Sequence, residues 1–159
     1  MDTRLSQIAD RLMEFRAAKD VNPRAIGATL LPHLFVLGIE KHNNATRLRV
    51  RLIGTALHQF FGRNLRGHYL EDFIHGPRAA EVIAGFHDVA HSHSPLWMRQ
   101  LVRVADKAPR CVEGVVVYLS PARLYGGLVA GELATYPSLD SSPGAIFERR
   151  TLAAENVAL

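Results

Sequence analysis

The sequence predicts an α+β fold: a five-stranded antiparallel sheet with helices on one face, preceded by an N-terminal amphipathic helix. Two observations lead to this prediction. Two strand-length segments come before a helical region and three come after it, and each group is joined by short polar turns. Because turns of this length join antiparallel strands, the last three segments are expected to form a meander.

The composition fits one globular domain. The chain has 159 residues, of which 48% are hydrophobic and 21% charged, so it is long enough to bury a core. The net charge of +4 comes with 16 arginines and 3 lysines, and we interpret it as a solvated surface rather than a nucleic-acid interface. A single cysteine, Cys111, excludes an internal disulfide, and neither a signal-peptide pattern nor a membrane span is recognised. These features favour a cytoplasmic protein.

Residues 1–20 are predicted to contain a helix over residues 3–18, with Asp2 or Thr3 capping its first amides. Its apolar residues recur at helical spacing and form one stripe, which consists of Leu5, Ile8, Leu12 and Phe15. The stripe must be buried, either on the protein's own domain or against a second copy of the chain. The sequence leaves both options open, and the second makes these four residues candidates for a dimer interface.

Two strands follow, over residues 34–40 and 46–53, with a polar turn between them. In the second strand, Leu48, Val50 and Leu52 alternate with three arginines, which are Arg47, Arg49 and Arg51. One face of this strand is therefore expected to be buried and the other to be wet. The arginines fit a solvated edge strand better than a grip on phosphates.

The middle of the chain is punctuated by glycines. Gly54, Gly62 and Gly67 break residues 52–73 into short turns, and a helix then runs from about Pro77 to the histidine-rich end before Pro95. Three strands are predicted to follow, over residues 96–105, 111–119 and 124–134. Residues 137–144 are expected to be a linker, and residues 145–159 a short helix that docks on a partner.

Several spaced motifs resemble the PAS fold, and within it a bacterial family of short, single-domain PAS proteins. They are LPHLF at 31–35, LIGTAL at 52–57 and FGRNLRGHYLED at 61–72, continued by the GPRAAEVIAGF helix and the strand that holds Trp97. The resemblance covers about residues 25–137 and leaves 138–159 as linker and tail. It implies a non-catalytic sensor in bacterial signal transduction. Such a module binds a small ligand, pairs with itself or docks on a regulatory protein such as a kinase or response regulator.

A ligand pocket between the sheet and the helices is one site that this fold would provide. The residues predicted to line it are Phe35, Leu57, Phe61, Tyr69, Phe73, Ile83, Phe86, Trp97 and Tyr118. Ligand sites are mostly apolar with a few polar anchors, which this set matches. The alternative is that the same side chains fill the core, and the protein is then an adaptor that docks on other proteins.

His87 and His91 are the candidate cofactor ligands. Their i, i+4 spacing places them on one face of a helix, where they would reach a metal or the iron of a haem. Certain oxygen-sensing PAS proteins carry a haem-binding histidine on the corresponding helix. The alternative is a pair of surface histidines near a helix C-terminus, where their positive charge is favoured. No complete metal-binding motif accompanies them.

Flavin photochemistry of the light-sensing PAS type is disfavoured, because it needs a cysteine in an asparagine-cysteine-arginine motif on a helix. Cys111 lies instead on a late strand, although a noncovalent flavin stays open. Glu113, a charge in an apolar strand, is predicted to pair with Arg99 or Arg103 of the neighbouring strand rather than to face a ligand. An enzyme is disfavoured, since no nucleophile elbow or HExxH motif occurs.

These features predict a homodimer that uses the apolar stripe of the first helix and the outer face of the sheet. The predicted signal is a shift in population between packing states of residues 54–73.

Overall fold

The computed structural model describes residues 1–75, 78–102, 110–119, 121–131 and 147–152. The helices in these ranges are α1 (Thr3–Ala18), α2 (Thr55–Phe61) and α3 (Ala79–Ser92). The strands are β1 (Leu34–His42), β2 (Ala45–Ile53), β3 (Leu96–Val102), β4 (Arg110–Leu119), β5 (Arg123–Gly131) and β6 (Phe147–Thr151). Short 3₁₀ turns lie at Pro23–Ile26, Leu31–His33 and Leu70–Asp72.

The strands form one antiparallel sheet in the order β2-β1-β5-β4-β3-β6. The predicted five-stranded sheet is confirmed for β1 to β5, including the meander of β3, β4 and β5. The tail differs from its prediction, because residues 147–151 form a strand and not a docking helix. This strand pairs with β3 from Leu96↔Thr151 to Gln100↔Phe147 and so covers backbone groups at the edge of β3.

Strands β1 and β2 form the predicted hairpin. Asn43 and Asn44 both have positive φ, at 46° and 66°, which suits the tight turns that match the twist of two paired strands. Strand β2 is an edge strand, as its arginines indicated. Its alternation breaks near its end, because the pairing register shifts between Val36 and Leu37. This bulge turns Leu52 to the face opposite Val50, so the prediction that both point the same way is wrong.

Each face of the sheet carries its own apolar core. The α3-side core consists of Phe35, Leu37, Leu48, Val50, Leu57, Leu65, Leu70, Val82, Phe86, Val89, Leu96, Met98, Val116 and Leu124. The α1-side core consists of Leu5, Ile8, Ala9, Leu12, Ile26, Leu30, Leu34, Val36, Val115, Val117, Leu119, Tyr125 and Val129. Successive strand residues alternate between the two lists, as the pleat requires. Helices α2 and α3 therefore share one face, as predicted, and α1 covers the other.

Helix α1 buries its stripe on its own chain. Leu5, Ile8 and Leu12 are fully buried, and they pack with residues of β4 and β5. The helix approaches β5 closely at Gly127, where an added Cβ would lie 2.7 Å from Ile8 Cδ1. The expectation that these three side chains face a second copy is corrected, because the sheet already occupies their surface. Phe15, at the end of the stripe, is only partly buried.

Several sequence expectations fall outside the described residues. They concern Pro77 at the start of the long helix, the turn at 106–109, Arg103 and the linker at 137–144. Within the ranges that the structure covers, no helix is both long enough and apolar enough to cross a membrane.

Candidate functional site

The candidate ligand site is the region where the segment that contains α2 and α3 packs on the sheet. Gly54 starts this segment, and its N–H donates to the carbonyl of Leu34 at 2.8 Å. An added Cβ at Gly54 would lie 2.2 Å from the carbonyl oxygen of Pro32, so only glycine allows this close approach. Gly62 and Gly67 have φ of 73° and 87°. The glycines therefore occupy turn positions, as the sequence indicated.

The deepest part of the site is filled by the chain itself. Phe35, Leu57 and Phe86 are buried in the α3-side core, and the rings of Phe35 and Phe86 meet with centroids 5.9 Å apart. The structure thus brings these three predicted residues together. These three side chains already pack within the core, and we call them the floor of the site.

Four other predicted residues are partly buried, and we call them the rim. They are Phe61, Phe73, Ile83 and Tyr118, each packed against the α3-side core. Phe61 and Phe73 meet nearly edge to face, with centroids 6.0 Å apart and planes at 70°. The rim combines apolar surface with access to solvent, which a site for a small ligand needs.

Trp97 lies on the other face of the sheet, so its prediction as a pocket residue is wrong. Its neighbours Leu96 and Met98 belong to the α3-side core, and alternation along β3 turns Trp97 towards α1. Its indole N–H donates to Glu113 Oε2 at 3.2 Å. Strand β3 was predicted correctly, but the face of the sheet on which Trp97 lies was not.

Glu113 forms a buried polar contact beneath the start of α1. The residue is 2% exposed, and Arg99 Nε lies 3.7 Å from its Oε1, which confirms the predicted pairing with Arg99. Its Oε2 also accepts the backbone N–H of Asp2 at 3.2 Å. Glu113 therefore joins β3, β4 and the N-terminus of α1. Sequence reasoning missed the contact with Asp2, because nothing local indicates which strand a helix start will meet.

Tyr69 was predicted to line the pocket but lies at the edge of the sheet. The backbone around it pairs with β2, since Gly67 N–H donates to the carbonyl of Val50 at 2.8 Å. Its ring lies against two guanidinium groups, with the Cζ of Arg47 at 3.5 Å and that of Arg49 at 4.3 Å from its centroid. The expectation of a pocket role for Tyr69 is corrected by this pairing.

Glu40 lies at the centre of the charged side chains around Tyr69. Its Oε1 accepts from Arg49 Nε at 2.8 Å and from Arg51 Nη2 at 2.6 Å, and its Oε2 accepts from the hydroxyl of Tyr69 at 2.9 Å. These hydrogen bonds, chiefly that of Arg49 and then that of Tyr69, lower the pKa of the Glu40 carboxyl to about 2. We call Glu40, Arg47, Arg49, Arg51 and Tyr69 the arginine face. The sequence showed the three arginines but did not indicate that Glu40 pairs with Arg49 and Arg51.

The comparisons with known proteins agree with this geometry. A family model for the PAS domain matches residues 11–123, which is more than half of the chain. The chain belongs to the PAS domain family. The resemblance of the motifs to the PAS domain is therefore confirmed. No curated protein and no solved structure matches the chain.

The two candidate cofactor ligands of this PAS domain lie in different surroundings. His87 is partly buried, and its Nε2 lies 3.3 Å from Glu71 Oε1, while His91 is exposed. Glu71 Oε2 is buried and has no hydrogen-bond partner among the described residues. Across those residues, no three histidine, cysteine or acidic side chains are grouped to hold a metal ion. The carboxylate of Glu71 thus lies beside Nε2 of His87, the nitrogen that would bind a haem iron.

Cys111 of the PAS domain is buried on β4. Burial raises the pKa of its thiol to about 11. Because the thiolate is the reactive form, this side chain behaves as a small apolar strand residue.

Proposed function

We propose that this PAS domain is a non-catalytic sensor and interaction module of cytoplasmic signal transduction. Membership of the PAS family points to signalling, and the partly buried rim of Phe61, Phe73, Ile83 and Tyr118 supports a ligand site. The proposed ligand is a small apolar or aromatic molecule that covers the rim. The Glu71–His87 pair would supply a polar anchor, since Glu71 Oε2 is buried with no hydrogen-bond partner in the part of the chain that the structure describes.

The proposed signal crosses the sheet through β5. On the rim side, an added Cβ at Gly126 would lie 2.3 Å from Phe35 Cζ, so the ring packs directly on the backbone. On the other side, Ile8 of α1 packs on the next residue, Gly127, in the same way. A ligand that moves Phe35 therefore presses on the strand that seats α1. Helix α1 or the C-terminal segment would report this to a second copy, a kinase or a response regulator.

Native mass spectrometry of the purified protein tests the proposal. We expect a noncovalent adduct of small-molecule mass, and we expect Phe61→Ala to lose it. Phe15→Ala is the matched control, because Phe15 is also a partly buried phenylalanine but packs against the opposite core. An adduct that both variants retain would place the ligand elsewhere.

The main alternative is an adaptor whose core is filled. The close packing of Phe35, Leu57 and Phe86 favours this alternative. Absence of any adduct, together with a signalling protein captured on the immobilised domain, would support it over the ligand sensor. A Soret absorbance band in the purified protein would instead support the haem hypothesis for His87 or His91.

A further inference from the structure

We propose that the arginine face binds an acidic segment of a partner protein, whose carboxylates pair with the guanidinium groups of Arg47 and Arg51. This inference rests on the interaction part of the proposed function and names the chemistry of the partner. It concerns the edge of the sheet that β1 and β2 form, away from the rim and from α1, which lies over β4 and β5.

The backbone of the hairpin places Arg51. The bulge in β2 pairs Leu52 with Val36 and Val50 with Leu37, so Arg51 is the extra residue between them. Its side chain lies across Gly38 of β1, where an added Cβ would be 2.7 Å from Arg51 Nε. A bulge and a glycine therefore combine to lay this guanidinium against the sheet.

Glu40 orients the guanidinium groups of Arg49 and Arg51, and both of its carboxylate oxygens already accept hydrogen bonds. Its Oε1 accepts from both arginines, and its Oε2 accepts from Tyr69 and, at 3.3 Å, from Arg49 Nη2. One carboxylate thus holds two guanidinium groups in place. Side chains fixed in this way lose less conformational entropy when a partner binds.

The face keeps positive charge after its internal pairs are counted. The face contains three guanidinium groups and is paired with two carboxylates, those of Glu40 and Asp72. Asp72 lies 3.7 Å from Arg47, so this pair is a loose one. The side chains of Arg47 and Arg51 are 38% and 47% exposed. Among the described residues, Glu40 is the sole acceptor for Arg51, so other N–H groups of its fork are available to an incoming carboxylate.

The shape and charge pattern favour a protein segment over a nucleic acid. Arg47 and Arg51 are four residues apart on β2, which is about 13 Å at the rise of a strand and matches carboxylates at i, i+4 of an extended segment. Glu40 and Asp72 lie among the arginines and would repel the closely spaced phosphates of a nucleic acid. Guanidinium forks pair with carboxylates in a planar, two-point manner, which suits separate acidic side chains.

Fluorescence anisotropy with a labelled peptide of repeated Glu-Ala-Ala-Ala-Glu tests the inference. We expect Arg51→Gln to weaken binding about fivefold or more, because a preorganised charge contact is lost. The matched control is Arg11→Gln, which removes the same charge from an exposed pair on α1 and should change binding less than about twofold. Gly38→Ala keeps every charge but displaces Arg51, so it should also weaken binding.

Three results would overturn the inference. Equal weakening by Arg51→Gln and Arg11→Gln would mean that the peptide responds only to total charge. Tighter binding of a single-stranded oligonucleotide, with the same dependence on Arg51, would assign the face to nucleic acid. Full displacement of the peptide by inorganic phosphate at equal concentration would assign it to single phosphates.

Folding of each variant is checked by its thermal melt, and Arg51→Gln keeps the test open if Gly38→Ala does not fold. The mass-spectrometric adduct at the rim is measured on the same samples. An adduct that persists without peptide binding would refute this inference alone, whereas loss of both would count against the proposed function as well.

Discussion

The charge state of Glu40 is strongly influenced by its neighbours. Hydrogen bonds from Arg49 and Tyr69 lower its pKa from an ordinary value of 4.5 to about 2 in the folded protein. A carboxyl with a lowered pKa stabilises the fold fully above pH 4.5. That contribution falls as the pH decreases from 4.5 and is lost below about 2.

We therefore expect Glu40→Gln to flatten the pH dependence of the free energy of unfolding between pH 4.5 and about 2. Urea denaturation at a series of pH values measures this slope. The pKa of Asp2 is also lowered, mainly by its hydrogen bond with Arg4, so Asp2→Asn accounts for a second part of the slope. An unchanged slope in Glu40→Gln would contradict the assignment.

Cys111 is predicted to resist alkylation in the folded protein. Its thiol is buried and its pKa is raised to about 11, so almost none of the reactive thiolate is present at pH 8. We expect iodoacetamide to modify the native protein much more slowly than the protein in urea. Equal rates in the two conditions would show that β4 opens freely around this residue.

At the scale of elements, Glu113 holds the start of α1 to the sheet. It accepts the backbone N–H of Asp2 and the indole N–H of Trp97. Glu113→Ala leaves the buried indole N–H and the partly buried N–H of Asp2 without this acceptor, and we expect a loss of about 1–3 kcal/mol in the free energy of unfolding. Glu113→Gln should cost less, because its amide oxygen still accepts.

Thermal melts and hydrogen exchange along α1 measure this effect. The control is Glu81→Ala, which removes an exposed pair with Arg78 on α3 and should cost less than about 1 kcal/mol. If Glu113→Ala were as mild as this control, the buried carboxylate would contribute little to seating α1.

The strands and helices could be predicted because their patterns are local. The spacing of Leu5, Ile8 and Leu12 specifies a helix, and the alternation around Val50 specifies a half-buried strand. The bulge that turns Leu52 over depends on pairing with Val36 of another strand, which no pattern within β2 shows. Strand β6 was missed for the same reason, since it exists through its pairing with β3.

The sequence predicted the apolar residue types of the candidate site better than the positions of its residues. Phe35, Leu57 and Phe86 meet as expected, because their segments pack on one face of the sheet. Trp97 required knowledge of which face its strand turns towards the helices, and Tyr69 required the pairing of its backbone with β2. Residue type thus identified an apolar site, while its boundary depends on contacts between distant segments.

At the scale of the whole molecule, α1 decides whether the fold depends on a second copy. Leu12 is fully buried against the protein's own sheet, so Leu12→Ala should leave a cavity and cost about 2–5 kcal/mol. Because the contact lies within one chain, Leu12→Ala should lower the melting temperature by a similar amount at low and at high protein concentration.

Differential scanning fluorimetry over a range of concentrations, with light scattering on the same samples, measures both quantities. A dimer that uses surfaces other than the stripe would persist in Leu12→Ala after its melting temperature has fallen. If the stripe instead joined two copies, the loss caused by Leu12→Ala would depend on protein concentration, and Leu12→Ala would convert a dimer into a monomer. Phe15→Ala, at the partly exposed end of the same stripe, should lower stability less than Leu12→Ala in the first case.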